Sequence, residues 1–255
     1  MSLCILTTST ALFPPASPGC GRFIRTLSLE AEGQSLALPG ADDYTRIYNE
    51  LECEFNAILV LTAPEAVVPG AETARLAAQS HGGTAKISVL ETLQIGPGLG
   101  ILTQLAARKA AAGASLLEVE DYIRSVIPYL FTILCPDTTP GAPGKKSTQN
   151  GDQSGALLVY LLDEGLLMPY KKVRTQRHLL ENLQEFLGEF EKPQRLVYFH
   201  GKNASLHTRP LRETAAGTFP GVHFVDLVIN EALASLFGEC TVGLTVLEKP
   251  GENIL

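Results

Sequence analysis

The sequence predicts an α/β protein of two domains, and three patterns lead to this prediction. Short apolar, β-branched runs alternate with helical patterns over residues 1–135, which is typical of a mostly parallel, doubly wound sheet with helices on both faces. Residues 136–154 are polar and rich in Pro and Gly, as in a linker or long loop. A second, shorter alternation fills residues 155–255 and predicts a smaller α/β unit with a mixed sheet.

The first domain is expected to begin with strands at Ile5–Thr7 and Phe23–Leu29. Asp42 is a residue type that caps helices, so we expect a helix to begin there. Ala57–Thr62 is a continuous apolar run. Such a run is typical of a strand that is buried on both faces of a parallel sheet.

Glycines mark the next helices of this domain. Gly70 precedes a helix over Ala71–Ser80, and Lys86–Leu90 is the following strand. A long Ala/Leu helix begins near Gly98 and stops at Gly113, a residue type that favours helix ends.

Ser115 and Glu118 have the spacing of a capping box and open the next helix, and Leu130–Cys135 is expected as the last strand of this domain. In open parallel sheets, ligands bind beyond the carboxyl ends of the strands. A ligand site is therefore expected at that edge.

The second domain is expected to open with a hairpin, since two apolar runs flank the turn Asp163-Glu164-Gly165. The other elements follow in chain order: a helix at Gln176–Phe190, a strand at Leu196–His200, a helix near residues 204–216, a strand at His223–Ile229, a short helix around residues 232–236 and a strand at Thr241–Leu247.

Composition excludes several functional classes. The net charge is −7, Trp is absent and the chain has no large basic face, so nucleic-acid binding is not expected. No apolar run is long enough to cross a membrane. Five scattered cysteines without a C-x-x-C pair predict neither a disulfide framework nor a metal site. The N-terminus lacks the basic segment of a signal peptide, so we expect a cytoplasmic protein.

The glycine-rich segment GPGLG at residues 96–100 opens a helix after a strand, but its glycine spacing does not match the dinucleotide motif G-x-G-x-x-G. No cofactor is therefore expected. The helix starts at Gly70 and at Gly96–Gly98 still offer backbone N–H groups to an anion. No catalytic residues are predicted either, because no nucleophile lies beside a base in the sequence. His200 is expected to be a satisfied strand-end histidine, and His81 an exposed residue at a helix end.

Four segments match motifs that occur together in one known family. Ser9-Thr10-Ala11 resembles the opening "DSTADLP", with Thr8 in place of the aspartate. Residues 74–78 resemble "QSARLAA", residues 91–100 match "DSxxvSxGLG", and residues 163–175 match "xDGxxxPxxKVRT". By these motifs the chain resembles the DegV family, bacterial two-domain proteins that bind a fatty acid.

The resemblance implies a fatty-acid-binding protein and not an enzyme. The acyl chain would lie in an apolar tunnel of the first domain, beneath the helices that start near Gly70 and Gly98. Hydroxyl and basic groups would hold the carboxylate near the interface of the two domains, and a separate fatty acid kinase would phosphorylate it. The family's site residues transfer to Arg174 and, as a hydroxyl substitute, to Thr62. The helix starts at Gly70, Gly96 and Gly98 would complete the binding set.

The chain also departs from the family pattern. Its turn at residues 62–71 lacks the serines of "SSxLSGT", and residues 238–243 replace "HxGPG" without a histidine. Two hypotheses therefore stay open. The first is a binding protein for a long-chain fatty acid or similar apolar carboxylate, and the alternative is a relative that has lost the ligand site and acts as an interaction module. An enzyme is the least favoured reading.

Overall fold

The structure, a computed structural model, describes residues 2–15, 21–32, 35–138, 156–206 and 208–248. The predicted linker at residues 136–154 lies outside the described residues except for its first three positions. The chain divides into two compact units, one formed by Met1–Glu30 and Leu36–Pro128 and the other by Ala31–Ser35 and Tyr129–Leu255.

The described residues form twelve strands and seven α-helices. The strands are β1 (Leu3–Thr8), β2 (Ile24–Leu27), β3 (Ala31–Glu32), β4 (Ser35–Leu36), β5 (Ala57–Thr62), β6 (Lys86–Glu91), β7 (Leu130–Cys135), β8 (Leu157–Asp163), β9 (Leu166–Val173), β10 (Pro193–His200), β11 (His223–Val228) and β12 (Val242–Glu248). The helices are α1 (Ala41–Glu52), α2 (Ala71–Ser80), α3 (Pro97–Ala111), α4 (Leu116–Val126), α5 (Gln176–Leu187), α6 (Arg209–Thr218) and α7 (Glu231–Phe237).

The first unit is built on a four-stranded sheet with the order β2-β1-β5-β6. All three strand pairs in it are parallel, as the sequence predicts. Every residue of β1 and β5 is buried. This explains the unbroken apolar run at Ala57–Thr62, because a strand covered on both faces has no polar side.

Helices cover both faces of this sheet. On one face Leu6 and Val60 pack in a cluster with Tyr48 of α1 and Ala74 of α2. The Tyr48 hydroxyl also donates to the carbonyl oxygen of Ala74 over 3.1 Å, which ties these two helices together. Helices α3 and α4 pack against each other and against β5. The doubly wound arrangement that the sequence predicts is thereby confirmed.

The capping box before α4 is confirmed. The Ser115 hydroxyl accepts from the N–H of Glu118 at 3.4 Å, and the Glu118 carboxylate accepts from the N–H of Ser115 at 2.7 Å. The N–H and the hydroxyl of Ser115 both donate to the Glu118 carboxylate and hold the pKa of Glu118 below its usual value. The predicted cap at Asp42 is wrong: helix α1 begins one residue earlier, after Gly40, whose N–H donates to the Asp43 carboxylate.

The second unit contains a six-stranded mixed sheet with the order β11-β10-β12-β7-β8-β9. Strands β10 and β11 are parallel, and the other pairs are antiparallel. The expected hairpin joins β8 to β9, with Glu164 at φ 46° and Gly165 at φ 79°. Positive φ at both central residues is typical of a type I′ turn.

Strand β7 does not lie in the first domain, where the sequence analysis places residues 130–135. It pairs antiparallel with β12 and β8 in the mixed sheet, so the boundary between the units falls at Pro128 and Tyr129. The sequence could not show this, because an apolar strand has the same composition in either kind of sheet.

Two helix ends also differ from the prediction. Helix α5 ends at Leu187 and not at Phe190, and Gly188, a residue type that favours helix ends, is its C-cap. Helix α6 begins at Arg209, five residues after the predicted start. Within the described ranges, the helices are too short or too polar for any to traverse a bilayer.

Candidate functional site

The carboxyl edge of the first sheet carries a buried hydroxyl group. Thr62 is the last residue of β5 and is only 3% exposed. Its backbone carbonyl oxygen accepts from the Thr92 hydroxyl at 2.8 Å, but its own hydroxyl oxygen has no hydrogen-bond partner among the described residues. Buried hydroxyl groups are rarely left unbonded, so Thr62 marks this edge as a candidate polar binding site.

A small cavity adjoins Thr62. Its lining combines the carboxyl edge of the sheet with the start of α2 and one side of α1, namely Thr8, Leu29, Pro39, Tyr44, Thr62, Ala63, Val68, Pro69 and Gly70. Its volume is about 10 Å³, which is room for one water molecule. Drug-sized ligands occupy pockets of roughly 300–1,000 Å³, so an acyl chain could enter here only if the surrounding side chains moved apart.

Tyr44 contributes a second hydroxyl group to this cavity. Its side chain is buried against Tyr48, and its hydroxyl makes no hydrogen bond within the described part of the chain. Burial, followed by the negative charge of Glu65, raises the pKa of Tyr44 to about 12. The phenol is therefore neutral at physiological pH and is able both to donate and to accept a hydrogen bond.

Glu65 caps helix α2 at the edge of the cavity. One of its carboxylate oxygens, Oε2, accepts from the N–H groups of Gly70 at 3.0 Å and of Ala71 at 2.7 Å. Gly70 lines the cavity, as a ligand contact should, but its N–H is already bonded to this internal carboxylate. A ligand anion at this helix end would have to displace Glu65 or bind beside it.

The start of α3 is bound to the chain after β1. The N–H of Gly96 donates to the carbonyl oxygen of Thr10, and the carbonyl oxygen of Gly96 accepts from Leu12, both over 2.9 Å. A side chain at Gly98 would meet the Gln94 side chain. Neither Gly96 nor Gly98 is among the described residues that line the Thr62 cavity. Their roles as ligand contacts stay predictions.

Arg174 belongs to the second unit and follows β9. It is exposed and makes no ion pair or hydrogen bond with another described residue. Neighbouring cations are paired: Lys171 with Glu185, and Arg177 with Glu181 at 2.8 Å. The guanidinium of Arg174 is therefore free to bind a carboxylate. That it does so stays a prediction.

Two histidines pair with carboxylates. His200 Nε2 lies 3.2 Å from Asp226 Oδ1, which agrees with a satisfied strand-end histidine. His81, expected in solvent, has a side chain only 3% exposed, with Nε2 3.1 Å from Glu52 Oε2. That expectation is wrong, because the helix end turns the ring inward against Tyr48. No group of metal ligands occurs in the described ranges.

Sequence reasoning missed two residues of this site, Tyr44 and Glu65. A signal existed for each of them. Tyr44 and Tyr48 lie one helical turn apart, which places both rings on the buried side of α1. Glu65 stands five residues before the glycine that opens a helix, within reach of the free N–H groups there.

The unpartnered hydroxyl predicts an unusual response to mutation. Thr62→Val removes a group without a protein partner, whereas Thr7→Val in the adjacent strand removes a hydroxyl that donates to Leu61 over 2.9 Å. The free energy of unfolding of the Thr62→Val variant is therefore expected to be about 1 kcal/mol higher than that of the Thr7→Val variant. Urea unfolding of the two variants measures the difference, and equal losses would contradict the assignment.

Comparisons with the sequences and structures of known proteins find similarity to DegV proteins. No family model matches the chain. A DegV domain-containing protein of Streptococcus pyogenes serotype M3 is 32% identical over 114 residues, which are 42% of this chain and 39% of that protein. The chain thus matches about two fifths of the length of this curated relative.

Solved structures share the fold over nearly the whole chain. A DegV family protein from Corynebacterium glutamicum has a TM-score of 0.82 at 19% identity, covering 98% of this chain and 99% of that one. A fatty-acid-binding DegV family protein from Thermus thermophilus scores 0.81 at 20% identity, and the fatty acid kinase B3 protein of Streptococcus pneumoniae, loaded with linoleic acid, scores 0.80 at 17%. Both alignments cover 98% of this chain and 100% of the other.

Proposed function

We propose, on the premise that this chain is a relative of the DegV domain-containing proteins and has the DegV fold, that it binds a long-chain fatty acid or a similar apolar carboxylate. The observation that carries the proposal is the buried Thr62 hydroxyl, which has no partner among the described residues and belongs to a residue that lines a cavity at the carboxyl edge of the sheet. Parallel sheets bind ligands at this edge. A buried hydroxyl without a partner gains a hydrogen bond when a head group arrives.

A charged head group also requires a cation. In the second unit we propose Arg174 for this role, because its guanidinium is unpaired among the described residues and it belongs to the family-like segment KVRT at the end of β9. Two-pronged contact with a guanidinium offsets part of the hydration that a carboxylate loses on binding. In this proposal the chain binds the fatty acid and presents it to another protein. It carries out no chemical step itself.

The proposed protein partner is a fatty acid kinase. It rests on the likeness to the fatty acid kinase B3 protein and on the sequence motifs of the family. We also propose a cytoplasmic location, where such a kinase has access to ATP. Cell fractionation tests the location, and co-purification with a bacterial fatty acid kinase tests the partner.

A second function is favoured by two observations. The cavity at Thr62 holds about 10 Å³, and an internal carboxylate occupies the adjacent helix end. Both features fit a DegV relative that has lost the ligand and serves as an interaction module.

Lipid extraction distinguishes the two functions. Protein purified without detergent is extracted with organic solvent, and the extract is analysed by mass spectrometry. A fatty acid in about equimolar amount is expected if the chain is a binding protein. An extract without lipid, together with no uptake of added palmitate, would contradict this function and favour the interaction module.

A further inference from the structure

The Thr62 cavity differs from an ordinary anion site in the charge that surrounds it. The carboxylate of Glu65 bonds to the first N–H groups of α2, the donors that a ligand anion would otherwise use. The N–H of Glu65 in turn donates to the Glu91 carboxylate at 2.8 Å. Two carboxylates therefore lie at the end of the sheet where the head group is expected.

The nearby cation, Arg75, offsets part of the charge of Glu91 but forms no ion pair with Glu65 among the described residues. Arg75 pairs with Glu72 at 2.6 Å and lies 3.9 Å from Glu91. No basic residue is among the described residues that line the cavity. From the first unit, an ionised head group beside Thr62 would therefore meet the negative charge of Glu65 in a partly buried place, where repulsion is stronger than in water.

The same surroundings suit a neutral head group that donates a hydrogen bond. The hydroxyls of Thr62 and Tyr44 can each accept or donate, and both lack partners in the described structure. The second oxygen of Glu65, Oε1, accepts no hydrogen bond from a described residue. An alcohol would find acceptors here without adding charge.

We propose that Glu65 sets the head-group selectivity of this site: its carboxylate opposes an ionised ligand, so that the chain binds a long-chain alcohol at least as tightly as the fatty acid of the same length. This inference rests on the proposed function, because it concerns the head group at the same cavity. Glu65 would be a specificity-determining residue that acts through its charge and through the helix donors it occupies.

The experiment compares palmitate and hexadecanol on the full chain. Their affinities are measured by displacement of a fluorescent fatty acid at neutral pH, first in the wild type and then in Glu65→Gln. Gln removes the charge but keeps an oxygen that accepts from Gly70 and Ala71. We expect the wild type to bind hexadecanol as tightly as palmitate or more tightly. Glu65→Gln should raise palmitate affinity about tenfold and change hexadecanol affinity less than twofold, since repulsion of this size corresponds to about 1.4 kcal/mol.

Glu72→Gln is the matched control. It removes the same charge from the first turn of the same helix, but its side chain is 61% exposed and its one ion-pair partner among the described residues is Arg75. Its palmitate affinity should stay within twofold of the wild type. A tenfold gain in both variants would show a general charge effect and overturn the assignment to Glu65.

The outcomes separate this inference from the proposed function. If neither ligand binds to either protein, the proposed function fails. If palmitate binds the wild type at least tenfold more tightly than hexadecanol, the chain is a fatty-acid-binding protein but the role of Glu65 is wrong. Since this comparison needs no variant, it decides the question even if Glu65→Gln does not fold.

Discussion

Replacing Gly100 with alanine is expected to destabilise the first unit by about 3 kcal/mol, because the added Cβ has no space. A Cβ at this position would lie 2.1 Å from the carbonyl oxygen of Leu12 and 2.7 Å from its carbonyl carbon. Both atoms are backbone, and the chain around Leu12 is bonded to Gly96. The clash cannot be relieved by turning a side chain. Urea unfolding followed by circular dichroism measures the loss.

Gly217→Ala is the control for this prediction. Gly217 also lies inside a helix, α6, and a Cβ there would meet no atom within 4 Å. The same substitution should then raise stability by up to about 1 kcal/mol, since alanine favours helices more than glycine does. A small or positive effect of Gly100→Ala would mean that the segment after β1, which contains Leu12, yields easily, and that the GPGLG sequence has no packing role.

Replacing Arg174 with alanine is expected to weaken fatty-acid binding at least tenfold, or about 1.4 kcal/mol, and to leave the fold intact. The side chain is exposed and unpaired within the described structure, so no internal contact is lost. Arg174→Lys should recover only part of the affinity, because an ammonium does not reproduce two-pronged contact with a carboxylate. Titration with a fluorescent fatty acid gives the three affinities.

Arg177→Ala serves as the matched control. Arg177 lies three residues further along, is equally cationic, and pairs with Glu181 within α5. Its removal should change fatty-acid affinity less than twofold. If both arginine variants bind like the wild type, Arg174 is an ordinary solvated residue, and the motif KVRT gives no information on the ligand.

Several elements could be predicted from sequence because their causes are local. Ala57–Thr62 and Ala71–Ser80 have the predicted bounds, since an unbroken apolar run and an amphipathic segment after Gly70 each define one element. The Ser115–Glu118 box and the turn at Gly165 depend only on neighbouring residues.

The features that escaped prediction depend on residues far apart in the chain. The unpartnered hydroxyl of Thr62 follows from how β5, α1 and α2 meet, and no sequence pattern records that. The assignment of β7 to the second sheet likewise depends on strands that follow it in the chain.

The place of β7 has a consequence for how the protein is made. Ribosomes deliver the N-terminal part first, and the residues of the parallel sheet are complete once Glu91 has emerged. Strand β7 follows soon after, but its partner β12 is far behind it: Thr132 pairs with Thr245, 113 residues later. Until then β7 has an open edge, which is the kind of surface that pairs wrongly with other chains. We therefore expect nascent chains that end before β12 to require a chaperone, and release at that length to cause aggregation.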